Sequence, residues 1–299
     1  IYTGEDTLSL HDALPILGFE EHRTSKIVAD LLREWGIEVH TGVAGTGVVG
    51  VLKCGDGPRT IGLRADLDAL PLQEENHFPH RSTHDGRMHA CGHDSHVAIL
   101  MGVAEVLASM QKDLAGTVKL IFQPAEEGVY NGQTFGANRM IEEGALENPK
   151  VDVVFGLHIN SQTEVGTIKY RPGATMAAVD QLTIKLKGKQ THGANPWSGV
   201  DPIVTASQIV MGLQTIVSRN VNITENPAVV TVGAIHGGIR YNIIPESLEM
   251  IGTIRTFGDD QQALVHRRIK EISTNIAESA GAKADVEIGI GYPATVNDP

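Results

Sequence analysis

At 299 residues, with 41% hydrophobic and 20% charged positions, the chain has an ordinary globular composition and enough length for one large core or two modest ones. Its net charge of -12, from 36 acidic and 24 basic residues, would repel a phosphate backbone, and no dense Lys/Arg run offsets it locally. No apolar run is long enough to span a bilayer and no basic-then-apolar leader opens the chain, so nucleic acid and membrane partners are both disfavoured. A cytoplasmic location is the expectation, with a removed leader and a periplasmic site left open.

Residues 1–16 show neither period nor cap. From Gly18 the text becomes orderly: Ile27, Val28, Leu31, Leu32 and Trp35 form a helical stripe that Gly36 ends. Three β-type runs follow at 37–41, 47–53 and 60–64, and Gly55-Asp56-Gly57-Pro58 predicts a turn between the last two. A polar loop headed by Asp66 and Asp68 then leads into Met88-His89-Ala90-Cys91-Gly92-His93-Asp94-Ser95-His96. Val97, Leu100, Met101, Ala104, Leu107 and Ala108 repeat behind it at helical spacing, which places Cys91 and His93 at the mouth of a helix.

Six of the thirteen histidines fall between His77 and His96. Metal coordination would explain that concentration, although an isolated Cys-x-His is more often a polar loop. Cys54, the other cysteine, reads as a bystander near a turn. Further on, continuous apolar runs at 117–122 and 151–157 flank a helical stretch near 138–143, the βαβ pattern of a buried parallel sheet. The first run ends in Gln123-Pro124-Ala125-Glu126-Glu127-Gly128 and the second in Gly156-Leu157-His158, and ligands bind beyond the carboxyl ends of such strands.

Beyond Ala177 the pattern changes. Alternation over 179–187, a helix with Asp201 as cap and Pro202 in its first turn, strands near 228–235 and 248–256, and a helix from Asp259 to about Ala280 describe a separate α+β module.

Cys91, His93, one of Glu126 and Glu127, and His158 thus converge on one sheet edge. A mixed sulfur, nitrogen and oxygen donor set suits Zn²⁺, Mn²⁺ or another borderline divalent ion, and a thiolate or carboxylate can bridge two ions. Of two adjacent glutamates, one can ligate while its neighbour takes a proton from water, but the residues alone do not say which does which. Asp66 or Asp68 could hold a ligating imidazole by its second nitrogen; a strand-end Asp is also an ordinary turn former. A cysteine hydrolase with Cys91 as nucleophile is the weaker alternative, because it leaves Glu126, Glu127 and His158 without a task.

Gly62-Leu63-Arg64-Ala65-Asp66-Leu67-Asp68-Ala69-Leu70-Pro71, the Met88–Asp94 segment, Phe122-Gln123-Pro124-Ala125-Glu126-Glu127-Gly128 and Gly156-Leu157-His158 together resemble the M20 metallopeptidase family, in its amidohydrolase branch of hippurate hydrolase-like and auxin-conjugate hydrolase-like enzymes. The resemblance runs from about Gly18 to the C-terminus. It implies an α/β fold in which a mixed, mostly parallel sheet flanked by helices forms a catalytic domain at 17–177. An inserted α+β lid domain of the dimerisation type then spans 178–288, and 289–299 begin the return to the catalytic domain.

By the same resemblance two divalent ions, zinc or manganese, are bound. Cys91 is the bridging thiolate, His93, Glu127 and His158 are further ligands, and Glu126 is the general base. In Gly188-Lys189-Gln190-Thr191-His192-Gly193-Ala194 the histidine, His192, helps hold the substrate carbonyl. Asn242 and Arg255, in the Gly237–Pro245 and Gly252–Arg255 segments, bind a substrate carboxylate, a task for which a guanidinium is suited.

The implied activity is hydrolysis of the amide bond of N-acyl amino acids or related conjugates by metal-activated water. A dipeptidase of the same family is an alternative, and a homo-oligomer through the lid is allowed. The family's opening His-Pro-Glu-Leu-Gly-Phe-Glu-Glu pattern is met only from Leu17-Gly18-Phe19-Glu20-Glu21, which makes 1–16 an atypical segment. At Pro299 the resemblance still expects catalytic segments with one more metal-binding histidine. On that reading the chain is C-terminally truncated, and an inactive metal- or substrate-binding fragment is the rival to a working enzyme.

Overall fold

A computed structural model describes residues 17–128 and 135–299. The atypical reading of residues 1–16 lies outside the described residues. The chain divides into two compact units, 1–166 and 167–299.

In the first unit α1 (His22–Glu34) precedes β1 (Glu38–Val43), β2 (Gly47–Lys53) and β3 (Gly55–Asp66), followed by α2 (His93–Ser109), β4 (Ala115–Gln123), α3 (Gly136–Glu142) and β5 (Val153–Gly156). The sheet order is β1-β2-β4-β3-β5. β3 runs parallel to β4 and to β5, while β1–β2 and β2–β4 are antiparallel, so the sheet is mixed. The expected stripes are the buried ones: Val28 and Leu32 of α1 and Val97, Leu100, Met101 and Ala104 of α2 pack with Val48, Leu52, Leu120 and Phe122 on one face. On the other face Met140 of α3 meets Val49, Val51 and Ile121.

Two expectations are corrected here. The Gly55–Pro58 stretch is not a turn between strands but the first part of β3, and Gly55 pairs with Ala115 before the register shifts at Thr60. The glycines serve close backbone approach: a Cβ on Gly57 would lie 2.6 Å from the Gly116 nitrogen. The apolar run at 151–157 yields only a four-residue strand, and that strand is not buried. Val154 and Phe155 are 47% and 58% exposed, because β5 is an edge strand with β3 as its one neighbour among the described strands.

The second unit contains β6 (Gly173–Met176), β7 (Ala178–Lys187), β8 (Thr191–His192), α4 (Pro202–Thr215), β9 (Val229–Gly237), β10 (Ile243–Ile244), β11 (Ser247–Thr256), α5 (Asp259–Ser279), β12 (Lys283–Ile290) and β13 (Thr295–Asn297). Its main sheet, in the order β12-β7-β11-β9, is antiparallel throughout. Alternation along β7 aims Leu182, Ile184 and Leu186 at Ile209 and Leu213 of α4 and Val265 and Ile269 of α5. Asp201 caps α4 by accepting the Ile203 and Val204 N–H groups at 2.8 and 3.3 Å. β12 follows the expected helix as a further strand, beyond those the sequence pattern predicts. Among the described residues no helix is long and apolar enough to cross a membrane.

Candidate metal centre

The ends of β3, β4 and β5 and the mouth of α2 meet at one edge of the first sheet. Parallel pairing sets Asp66 beside Gln123 and Arg64 beside Gly156, so the residues that follow each strand emerge together. Leu70 and Met88 exchange backbone hydrogen bonds at 3.0 and 3.1 Å, which closes the intervening loop and returns the His-rich segment to the strand end. Gly92 caps α2 with φ +88°, and a Cβ there would stand 2.4 Å from the Ile159 Cγ2. Glycine is therefore needed twice over, for the left-handed backbone and for the close approach of the segment leaving β5.

His93, the first residue of α2, is buried at the centre. Its Nδ1 donates to the Asp68 backbone carbonyl at 2.8 Å, with the Asp68 carboxylate 3.3 Å away. A carbonyl only accepts, so this contact puts the proton of a neutral imidazole on Nδ1 and leaves Nε2 with a lone pair. That Nε2 is buried without a hydrogen-bond partner. It faces Asp66 at 3.6 Å, Glu126 at 3.8 Å and Glu127 at 3.9 Å.

His158 is anchored the same way, its Nδ1 donating to the Ile159 carbonyl at 2.7 Å while its Nε2 lies 3.4 Å from the Cys91 Sγ. Donor atoms of Cys91, His93 and His158, and separately of His93, Glu126 and Glu127, lie within 4.8 Å of one another. The structure thus gathers all five residues of the expected centre around His93.

A third group, Asp66, His93 and His96, also falls within that distance, but its Asp66 and His96 are already committed to internal bonds. Asp66 accepts from His96 Nδ1 at 2.6 Å and from Arg64 at 2.7 Å, and His96 Nε2 accepts the Ile159 N–H at 2.9 Å. His96 was not among the candidates read from the sequence. Its signal was the phase of the α2 stripe, since His93, His96, Val97, Leu100, Met101 and Ala104 form one buried row. Asp68 serves the centre through its carbonyl toward His93 and through its Oδ2, which accepts the Glu127 N–H at 3.0 Å.

Electrostatics follow from this crowding. Burial opposes the imidazolium of His93, yet the Asp68 and Cys91 contacts and the Asp66 charge push its pKa up to about 11. Burial would raise the Asp66 carboxyl, but the His96 hydrogen bond and the Arg64 guanidinium hold it well below the usual carboxylate range. Glu126 is pushed up, by burial first, with Arg64 opposing and the Asp66 charge adding to the rise. Without an ion, a proton on His93 supplies the positive charge that the surrounding carboxylates require. A divalent cation fits the same place: it would meet a buried unpartnered imidazole nitrogen, a thiol and carboxylates, with both imidazoles held by backbone carbonyls as metal ligands commonly are.

In the second unit His192 and Asn242 are neighbours, since Ile243 pairs with His192 and the Gly193 N–H donates to the Asn242 carbonyl at 2.8 Å. His192 Nδ1 accepts the Ala194 N–H at 3.0 Å. Arg255 is not with them. It stands at the far end of β11 from the β8–β10 pair, donating to Thr253 Oγ1 at 2.6 Å and the Ile254 carbonyl at 3.2 Å.

Known proteins resemble this chain in sequence and fold. The chain is 41% identical over 95% of its length to the N-acetyl-L-cysteine deacetylase of Bacillus subtilis, spanning 66% of that protein. It is 40% identical, again over 95% of its length, to the hippurate hydrolase of Campylobacter jejuni, of which it spans 72%. The crystal structure of the Bacillus subtilis YXEP protein, described as a dinuclear metal-binding peptidase of the M20 family, superposes with a TM-score of 0.79 at 37% identity, covering 97% of this chain and 74% of that one. The sequence profile of peptidase family M20/M25/M40 matches residues 62–299, and the chain belongs to that family.

Proposed function

We propose that the chain carries the catalytic apparatus of a metal-dependent amidohydrolase that cleaves the amide bond of N-acyl amino acids or related conjugates. The observation that carries this reading is the pair of anchored imidazoles. His93 and His158 each tie Nδ1 to a backbone carbonyl, which leaves His93 Nε2 facing the carboxylates of Asp66, Glu126 and Glu127 and His158 Nε2 facing the Cys91 thiol. The names of the relatives, a deacetylase of N-acetylcysteine and a hydrolase of hippurate, support the substrate class.

Cys91, His93, Glu127 and His158 would hold two divalent ions, zinc or manganese. Such ions supply Lewis-acid polarisation of the amide carbonyl and a lowered pKa for water. Glu126 takes the proton from the attacking water and returns it to the departing amine nitrogen. Its burial suits that exchange, because a carboxyl raised toward neutrality both accepts and releases a proton readily. Asp66 and Asp68 position the centre from behind.

His192 accepts at Nδ1, so its neutral ring carries the proton on Nε2 and can donate it to the amide oxygen as negative charge develops there. Asn242, beside His192, is assigned to the substrate carboxylate; Arg255, expected to share that task, stands at the far end of β11 and is not placed to bind the same group. The catalytic domain comprises 17–177 and the lid 178–288, with 289–299 leading back. The protein is cytoplasmic and assembles through the lid. Its net charge of -12 supports a small-molecule partner over nucleic acid.

Glu126→Gln tests the assignment: turnover of acetyl- and benzoyl-amino acids is lost while bound metal stays near the wild-type amount, and retained turnover would remove Glu126 from the role of base. The 3.4 Å contact between Cys91 and His158 also admits a second reading, a thiol nucleophile activated by an imidazole. Chelation separates the two, since activity abolished by a chelator and restored by Mn²⁺ or Zn²⁺ rejects the thiol mechanism.

A further inference from the structure

The turn that carries Glu126 is held from a part of the chain with no other task at the centre. Glu21, wholly buried at the N-terminus of α1, accepts the Ala125 N–H at 2.9 Å on one carboxylate oxygen and the Thr46 hydroxyl on the other. Thr46 is tied in turn, its carbonyl accepting the Ser25 hydroxyl. Ala125 is one of few non-glycine residues with left-handed backbone, at φ +46°. That conformation is rarely held by an alanine unless its surroundings impose it.

Here the surroundings do so on three sides. Glu21 takes the N–H, the Gly136 N–H donates to the Ala125 carbonyl at 3.1 Å, and Gly18 lies so close that a Cβ on it would stand 2.7 Å from the Ala125 Cβ. One residue beyond Glu126, the Glu127 N–H is held by Asp68 at 3.0 Å. Glu126 therefore sits between two amides, each accepted by a buried carboxylate 59 to 104 positions away in the chain.

We propose that Glu21 is a positioning residue for the general base: by accepting the Ala125 N–H it fixes the backbone from which the Glu126 carboxylate is aimed. The Leu17-Gly18-Phe19-Glu20-Glu21 segment thereby gains a task, with Gly18 shaping the contact and Glu21 making it. This rests on the reading of Glu126 as base. The cost of losing the contact falls on kcat, because proton transfer depends on where the carboxylate points and substrate binding does not.

Glu21→Leu deletes the acceptor, and Glu21→Gln keeps an amide oxygen for the Ala125 N–H. Both are made in the full chain and read by hydrogen–deuterium exchange over 122–128 and by kcat and KM for N-acetyl amino acids. In Glu21→Leu, exchange at the Ala125 amide rises and kcat falls about tenfold or more, with KM within about twofold. Glu21→Gln holds both near wild type. Wild-type kcat in Glu21→Leu overturns the proposal, with or without raised exchange. So does a Glu21→Gln enzyme as impaired as Glu21→Leu, because charge and not the contact would then matter.

If Glu21→Leu does not fold, Thr46→Val carries the test by removing the hydroxyl that orients the carboxylate. Raised Ala125 exchange with lowered kcat supports the proposal, and wild-type values overturn it. Full turnover by Glu126→Gln would instead remove the base itself, and the role of Glu21 with it, whatever the exchange over 122–128 shows.

Discussion

His96 offers the sharpest test of how the centre is braced. It is buried and spans two elements, donating from Nδ1 to Asp66 at 2.6 Å and accepting the Ile159 N–H on Nε2 at 2.9 Å. Replacing it by Leu fills similar space but removes both bonds. A hydrogen bond to a charged group contributes about 1.5–3 kcal/mol, and the Ile159 amide, on a half-exposed segment that water can reach, about 0.5–1 kcal/mol. The expected loss is about 2–4 kcal/mol, a large part of the ~5–15 kcal/mol typical of a domain.

Asn at the same position can place its amide where Nδ1 stands, so it keeps the Asp66 bond and loses less than Leu. Urea unfolding of metal-free protein measures both, and Trp35, packed against the first unit's core, reports on that unit by fluorescence. The sign with pH is also set. The folded Asp66 carboxyl lies below its unfolded value, so its contribution is present above the ordinary carboxylate pKa of about 4 and is lost as pH falls toward the folded value. The gap between wild type and His96→Leu is therefore full at neutral pH and narrows in acid. A His96→Leu protein within about 0.5 kcal/mol of wild type, or a gap that widens in acid, would refute this account of the brace.

Burial raises the Glu21 carboxyl, with the Thr46 and Ala125 bonds opposing. The stability tied to that group is thus complete below its unfolded pKa and is lost as pH rises through the folded one. Glu21→Gln should flatten this decline, and equal slopes of urea midpoint against pH for the two proteins would contradict it. Because His93 holds a proton with a pKa of about 11 when the centre is metal-free, filling the centre expels that proton. Calorimetric metal titrations in buffers of different ionisation enthalpy should show the release, and identical apparent enthalpies would count against it. Gly92→Ala puts a Cβ 2.4 Å from Ile159 Cγ2 at a left-handed position, so it costs more than the ~1–2 kcal/mol of backbone strain alone. A midpoint unchanged from wild type would mean that α2 does not need the close approach.

Much of this centre could be read from the residues, for identifiable reasons. Chemically loaded residues at the ends of apolar runs located Glu126, Glu127 and His158, because a parallel sheet delivers its strand ends to one edge, and a His-rich segment at the mouth of a helix located Cys91 and His93. Periodicity found α2, and carried one turn back it would have found His96. Other features were hidden by long-range pairing. Gly55–Pro58 carries the composition of a turn, yet its glycines answer to Gly116, about sixty positions later, which local composition does not report. The run at 151–157 is apolar whether its strand lies at the centre or the edge of a sheet. Glu20-Glu21 looks like the solvated start of a helix, and only the approach of Ala125, 104 positions on, shows why Glu21 is buried. The division of labour between Glu126 and Glu127 came from resemblance and not from spacing.

The parallel register of β3, β4 and β5 acts as a gauge as well as a scaffold. A slip of one residue would turn each strand's inward face outward, so the smallest error that preserves the apolar face is two residues, about 6.6 Å. That exceeds the 4.8 Å within which the donor atoms of each group lie. A chain paired two residues out of step could bury nearly the same apolar surface and remain compact while gathering no complete donor set. Selection acting only on compactness would tolerate such a chain; selection acting on chemistry would not. The loop between Leu70 and Met88, closed at its base by their paired amides, is free of that constraint and can change in length without disturbing the gauge.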